Sequence, residues 1–181
     1  EGAVDAGAAV TLVSGPTALT PPSGVLTVGV TSASEMHEQV MSHVSGSDIF
    51  IGAAAVADYA PNQVSEQKIK KKTDALNISL GRTNDILADV SKLAHPPFTV
   101  GFAAETEDLE LNAQRKLQAK SLDMIAANKV GQPGSGFGSD YNILKLYWPG
   151  GGKELTHAPK TEIARGLIEI VASRYHAKNP A

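Results

Sequence analysis

Cysteine is absent from this 181-residue chain, which excludes disulfides, thiolate nucleophiles and thiolate metal sites and fits a reducing compartment such as the cytoplasm. Positive charge is absent from its first third. No Lys or Arg occurs before residue 68, while that stretch carries seven acids (Glu1, Asp5, Glu35, Glu38, Asp48, Asp58 and Glu66). All 16 bases lie downstream against the remaining 12 acids, for a net charge of -3. A general nucleic-acid binder carries a broad basic face, and this charge pattern is the opposite of one. Long apolar runs are missing too. The longest, Ile49 to Ala57, falls well short of the roughly 20 residues that span a bilayer, and the N-terminus lacks the basic start of a signal peptide, so no membrane partner is expected. The five histidines (His37, His43, His95, His157 and His176) show no metal-ligand spacing, and no serine sits in a nucleophile elbow. What is present is one dense basic spot. Ser65-Glu-Gln-Lys-Ile-Lys-Lys-Lys-Thr73 places four lysines in five positions, which reads either as a solvated loop or as a site for a compact anion.

At 42% hydrophobic residues, the chain is long enough to bury one core, and a single domain over residues 1–181 is expected. Short runs rich in Val, Ile and Ala alternate with segments of helical period, the pattern of an α/β fold. The fold class expected is a doubly wound, mostly parallel, Rossmann-like sheet in three layers with a C-terminal β-hairpin. Strands are predicted over Ala8–Ser14, Val25–Val30, Asp48–Val56, Phe98–Ala104 and Leu122–Ala127. Ser32-Ala-Ser-Glu35 is a capping-box pattern, followed by a helix with Met36, Val40 and Val44 on one face. Further helices are predicted over Asn84–Leu93, stopped before Pro96-Pro97, over Glu107–Lys120 and over Lys160–His176. Asn142–Trp148 and Lys153–His157 flank Pro149-Gly-Gly-Gly152 as a hairpin. The opening Glu1–Gly7 reads as the end of a helix with no strand before it, so the chain is expected to be truncated at its N-terminus.

In such a sheet, ligands bind beyond the carboxyl ends of the strands. Those ends gather Ala53 to Asp58, Phe102 to Glu105 and Ala127 to Lys129 around one crevice. Gly52-Ala-Ala-Ala55 either leaves room for a ligand to approach the backbone or packs tightly under a helix. Asp58 suits a sugar hydroxyl or the neighbourhood of a metal ion. Lys116 and Lys120 stand at i, i+4, so both ammonium groups share one helix face. If the loop lysines fold over the same crevice, several cations converge on one point, which suits a triphosphate. Gly131-Gln-Pro-Gly-Ser-Gly-Phe-Gly138 resembles a phosphate loop only loosely. It leads to a strand rather than a helix and reads better as a connection.

Gly52-Ala-Ala-Ala-Val-Ala-Asp-Tyr59, Lys68-Ile-Lys-Lys71, Asn84-Asp-Ile86, Val100-Gly-Phe-Ala-Ala-Glu-Thr106, Lys116 with Lys120, Ala126-Ala-Asn128 and Gly136-Phe-Gly-Ser-Asp140 together resemble phosphopantothenoylcysteine synthetase. The resemblance runs from the first strand to the last helix and is greatest to the bacterial form, the C-terminal half of a bifunctional chain whose other half is a flavin-dependent decarboxylase. It implies a ligase of coenzyme A synthesis that joins phosphopantothenate to cysteine with CTP. An acyl-cytidylate forms first, with magnesium bridging phosphates and no metal ligand required from the protein itself. By position, the resemblance implies that Gly52, Ala53, Ala54 and Asp58 line the nucleotide site. Lys68 would be catalytic, holding phosphate and stabilising the transition state. Thr83, Asn84, Asp85 and Ile86 would contact the nucleotide, Phe102 would lie against it, and Lys116 and Lys120 would grip its phosphates. The loop beyond Lys71 would act as a strap, and the family's dimers imply a homodimer, with the strap or the Gly150–Gly152 hairpin near the interface.

The chain departs from the family pattern in two places. It has Thr83-Asn-Asp-Ile86 where the family has Asn-Pro-Asp-Ile, and it contains no counterpart of the family's N-terminal strand, Gly-Pro-Thr loop and Asn-His-Ser-Ser-Gly segment, so weak or absent turnover by this chain is expected. Two other readings fit the alternation of strands and helices. One is a nicotinamide-dependent oxidoreductase, against which stands the lack of an acid near Val13-Ser14-Gly15. The other is a non-enzymatic regulatory domain that senses a nucleoside triphosphate.

Overall fold

A computed structural model describes residues 1–70, 75–129 and 139–180. In chain order the elements are α1 (Gly2–Asp5), β1 (Val10–Ser14), β2 (Val25–Gly29), α2 (Ala33–His43), β3 (Ile49–Gly52), β4 (Tyr59–Pro61), β5 (Leu80–Arg82), α3 (Ile86–Ser91), β6 (Phe98–Glu105), α4 (Leu109–Ala119), β7 (Met124–Lys129), β8 (Tyr141–Trp148), β9 (Gly151–Pro159) and α5 (Lys160–Lys178). The central sheet has the order β3-β6-β7-β8-β9, parallel through β3, β6 and β7 and antiparallel from β7 to β9.

Alternation along β6 and β7 builds three layers, because successive side chains of a strand point to opposite faces. Phe98, Val100, Met124 and Ala126 join Leu144 and Leu146 beneath Ile163, Leu167 and Val171 of α5. Those α5 residues recur every four positions, which makes one apolar stripe. Ala103, Ile125 and Ala127 face the other way and pack with Ala113 and Leu117 of α4. On that same side α3 brings Leu87 to the α4 cluster, while Val90 packs with Val40 and Val44 of α2. Met124, Ile125, Val100 and Leu146 are fully buried, each contributing about 1.5–3 kcal/mol through removal of its side chain from water.

The expected doubly wound α/β architecture is present, with three corrections. First, β1 and β2 form a separate parallel pair, from Val10↔Val25 to Ser14↔Gly29, that is not hydrogen-bonded to the five-stranded sheet. The two sheets are joined instead through side chains: Val13 of β1 and Phe50 of β3 pack against the same α2–α3 cluster. Second, β3 stops at Gly52 rather than Val56, since the chain leaves β6 after Gly52↔Gly101 although β6 itself runs on to Glu105. Third, the residues between β3 and α3 contain an unexpected two-stranded antiparallel ribbon, Tyr59↔Arg82 to Pro61↔Leu80.

The local signals at α2 and the hairpin act as expected in kind. Ser32 Oγ accepts the Glu35 N–H at 3.1 Å, but the Glu35 carboxylate reaches one residue further back, to the Thr31 N–H at 2.8 Å and the Thr31 hydroxyl. The first contact satisfies a donor that the helix start leaves free, and the second ties the residue before the cap to the first turn. Between Trp148 and Gly151 the chain reverses over Pro149 and Gly150, with Gly150 at φ 80°, a conformation that glycine adopts without steric cost.

Candidate functional site

The carboxyl ends of β3, β6 and β7 lie side by side, with Gly52 opposite Gly101 and Glu105 opposite Lys129. Two bare-backbone positions form the floor next to them. A methyl group placed on Gly101 would come within 2.8 Å of Leu87 Cδ2 and of Leu122 Cδ1, and one on Gly52 within 3.3 Å of Leu87 Cδ1. These glycines therefore seat α3 closely on the sheet. Of the two readings open for Gly52, helix packing is the one with a visible partner, while Ala53 and Ala54, beyond the strand, are exposed.

The segment after Gly52 is tied to the start of α3 by Thr83. Its N–H donates to the Asp58 carbonyl at 3.0 Å and its hydroxyl to the Ala57 carbonyl at 2.7 Å. These bonds continue the pairing that begins at Tyr59↔Arg82, so residues 57–58 and 83–86 form one continuous rim. Asn84 is exposed on that rim and Ile86 turns inward to the α2–α3 cluster.

Asp85 is the most heavily engaged side chain of the rim. Its Oδ1 accepts the Ala88 N–H at 3.1 Å and so caps α3. The same carboxylate meets Lys120 Nζ at 2.7 Å through Oδ2 and 2.9 Å through Oδ1. Partial burial pushes the Asp85 carboxyl up, but the hydrogen bond from Lys120, the Ala88 N–H and the positive charges of Lys120 and Lys116 outweigh it and hold the group below the ordinary aspartate range. Lys116, one helical turn before Lys120, donates from Nζ to the Phe102 carbonyl at 3.3 Å. The i, i+4 spacing thus delivers both ammonium groups to the same corner, one at Phe102 of β6, just beyond the last residue paired with β3, and one at the start of α3. Phe102 meets Lys116 through its carbonyl; its ring is partly buried against the core on the α5 side.

The arm between β4 and β5 springs from this corner, since its first strand follows Asp58 and its last precedes Thr83. Lys68 and Lys70 are exposed on it, and among the described residues Lys68 forms no ion pair. Lys71 and Lys72, like Gly131–Gly138, lie outside the described residues. Among the described residues no group of three His, Asp or Glu could hold a metal ion, and no helix is long and apolar enough to cross a membrane. A cavity of about 520 Å³ opens elsewhere, between α4 and the β8–β9 turn. It is lined by Gln114, Leu117, Tyr147 and Trp148 among others and by no Lys or Arg, so it lacks what an anion requires.

Two features of the site were missed by sequence reasoning: the β4–β5 ribbon, whose strands are three residues each, and the Asp85–Lys120 pair. The Asp85 cap, placed inside the helix predicted from Asn84, had a signal that could have found it, since an aspartate immediately before an apolar periodic run marks a helix start.

The chain matches the family described as DNA/pantothenate metabolism flavoprotein C-terminal domain over residues 1–175. It is 46% identical to the coenzyme A biosynthesis bifunctional protein CoaBC of Vibrio vulnificus over 174 residues, covering 94% of this chain and 43% of that protein. It is 45% identical to the Escherichia coli protein of the same name over 177 residues, covering 96% of this chain and 44% of the relative. The chain therefore spans less than half the length of the curated relatives it matches. The crystal structure of the C-terminal domain of a CoaBC protein superposes with a TM-score of 0.77 at 39% identity, over 93% of this chain and 76% of that one. By sequence along nearly its whole length and by the course of its backbone, this chain belongs to the family of DNA/pantothenate metabolism flavoprotein C-terminal domains.

Proposed function

We propose that this chain is the synthetase portion of a coenzyme A biosynthesis protein, a ligase that joins phosphopantothenate to cysteine at the expense of CTP. The observation that carries the reading is that Lys116, at Phe102 of β6, and Lys120, at Asp85 of the rim, meet at one corner. Two ammonium groups beside exposed small residues suit a chain of phosphates, for which each lysine is a point charge with three donors.

The chemistry asked of such a site is positioning and charge stabilisation. A carboxylate oxygen of phosphopantothenate attacks the α-phosphorus of CTP, the bond to the bridging oxygen breaks, and pyrophosphate leaves with that electron pair. The cysteine amine then attacks the acyl carbon of the acyl-cytidylate; the amide forms, CMP departs, and the amine gives up a proton. Lys116 and Lys120 hold the phosphates through both displacements. Lys68 approaches from the arm, whose two ends are anchored at Asp58 and Thr83, and supplies positive charge as the pyrophosphate separates. Ala53, Ala54 and the rim residues Thr83 and Asn84 line the nucleotide, with Phe102 beneath, and Ile86 adds its backbone only, its side chain being packed in the α2–α3 cluster. Ammonium donors fit phosphate oxygens rather than a metal, so magnesium belongs here as cargo of the nucleotide, where it neutralises phosphate charge.

A homodimer is part of the same reading. Val64, Ile69, Leu76, Ile78 and Leu80 are exposed apolar side chains along the arm, and a second copy of this chain would remove them from water. A cytoplasmic location and a flavin-dependent decarboxylase on the same polypeptide complete the proposal.

The test is calorimetric titration of this chain with CTP and magnesium, with ATP and NADH in parallel and a Lys116→Gln, Lys120→Gln variant as control. CTP binding that vanishes in the variant supports the reading. Binding of NADH in its place overturns it, and binding of ATP in preference to CTP overturns the choice of nucleotide. Light scattering of the same sample reads the oligomeric state.

A further inference from the structure

The function proposed above gives Lys120 to the phosphates, yet in this structure Lys120 is held by both oxygens of Asp85 at 2.7 and 2.9 Å. A carboxylate at the heart of a polyanion site is electrostatically costly, because it repels the ligand and occupies a cation that the ligand needs. Its second duty explains what fixes it there. Asp85 caps α3 through the Ala88 N–H, and α3 is seated on Gly52 and Gly101 through Leu87, so the carboxylate cannot swing away without loosening the helix start. Lys120 is the movable partner. It stands at the C-terminal end of α4, where its backbone N–H bonds Lys116 O, and its side chain is about one-quarter exposed on a stem of rotatable bonds.

We infer that Asp85 is a built-in competitor for Lys120. The lysine exchanges between the fixed carboxylate and the phosphate chain, and this competition keeps the site from holding its pyrophosphate product too tightly. The inference rests on the phosphate-site reading of Lys116 and Lys120. A carboxylate half exposed to solvent is a modest competitor. Removing its charge strengthens binding of a polyphosphate by roughly three- to ten-fold, partly by freeing the lysine and partly by ending the repulsion.

The perturbation that separates charge from capping is Asp85→Asn, since asparagine caps a helix about as well as aspartate. Binding of inorganic pyrophosphate, at constant ionic strength and without nucleotide, is measured by calorimetry for wild type, Asp85→Asn, Lys120→Gln and the double variant. Circular dichroism confirms that each variant is folded. The expected result is pyrophosphate bound roughly three- to ten-fold more tightly by Asp85→Asn, with most of that gain lost in the Lys120→Gln background. Unchanged or weaker binding by Asp85→Asn overturns the inference and makes Asp85 an orienting partner of Lys120. A gain of the same size with and without Lys120 overturns the exchange and leaves only long-range repulsion. Loss of pyrophosphate binding in Lys120→Gln together with indifference to Asp85→Asn leaves the phosphate site standing and removes the competitor. Failure of wild type and Asp85→Asn alike to bind pyrophosphate removes both.

Discussion

Gly101→Ala asks whether the site is placed by the absence of a side chain. The methyl group would lie 2.8 Å from Leu87 Cδ2 and from Leu122 Cδ1, whereas carbon atoms pack at about 3.5–4.0 Å. Both leucine tips must then withdraw by about 1 Å. The clashing atoms are ends of rotatable side chains rather than backbone, so the cost belongs at the lower end of the overpacking range, about 1–2 kcal/mol. In a chain of this size that lowers the thermal midpoint by about 2–8 °C. Differential scanning calorimetry of Gly101→Ala, Leu87→Val and the double variant reads it. Valine lacks the Cδ atoms that clash, so the double variant should lose less than the two single variants together, by about 0.5–1 kcal/mol. Because the rim residues Thr83 and Asn84, which line the nucleotide on the proposed function, lead directly into α3, Gly101→Ala should also weaken CTP binding, and Leu87→Val should partly restore it. An unchanged midpoint, or strict additivity in the double variant, refutes the claim that the two glycines seat α3.

Three further outcomes follow from the same geometry. Met124→Ala empties a fully buried position on β7 in the core cluster shared with α5 and should cost about 2–5 kcal/mol in urea denaturation; a loss under about 1 kcal/mol would mean that the core collapses into the space. Ser32→Ala removes the oxygen that receives the Glu35 N–H and should cost about 1 kcal/mol, whereas an unchanged midpoint would show that the Glu35 contact with Thr31 suffices. For Asp85 the folded state lowers the carboxyl below its ordinary range, so its stabilising contribution is complete above about pH 5 and disappears as pH falls through the lowered value, below about pH 4. The difference in thermal midpoint between wild type and Asp85→Asn should therefore shrink on acidification across that window, and a difference independent of pH would show that the ion pair contributes nothing to folding.

The fold was legible because each of its main elements carries its own periodicity. Met36, Val40 and Val44 mark a helix face that does pack together, and the apolar run Phe98–Ala104 becomes β6, an interior strand of the five-stranded sheet. The end of β3 was not legible, because Gly-Ala-Ala-Ala-Val is as apolar beyond the strand as within it. The chain leaves β6 after Gly52↔Gly101 although β6 itself runs on to Glu105, and no local pattern encodes that departure. The β4–β5 ribbon escaped for a related reason. Three-residue strands offer too few positions for alternation to show, and Pro61 in β4 argues against a strand unless the position is at an edge.

For the site, spacing along one helix was sufficient to place Lys116 and Lys120 together, since four residues return a helix to the same face. It was insufficient to say what they meet. Asp85 lies 35 residues from Lys120, and the two come together only because Gly52 and Gly101 let α3 sit low enough on the sheet for its cap to reach the end of α4. The same aspartate thus satisfies a helix terminus and restrains a cation, and these two duties pull in different directions once an anion arrives. The capping bond is to a fixed backbone N–H while the lysine is free to turn, so the helix start persists and the lysine is the group that changes partner. On the proposed function, a polyanion site built this way would give up some affinity, and that loss would favour release of pyrophosphate.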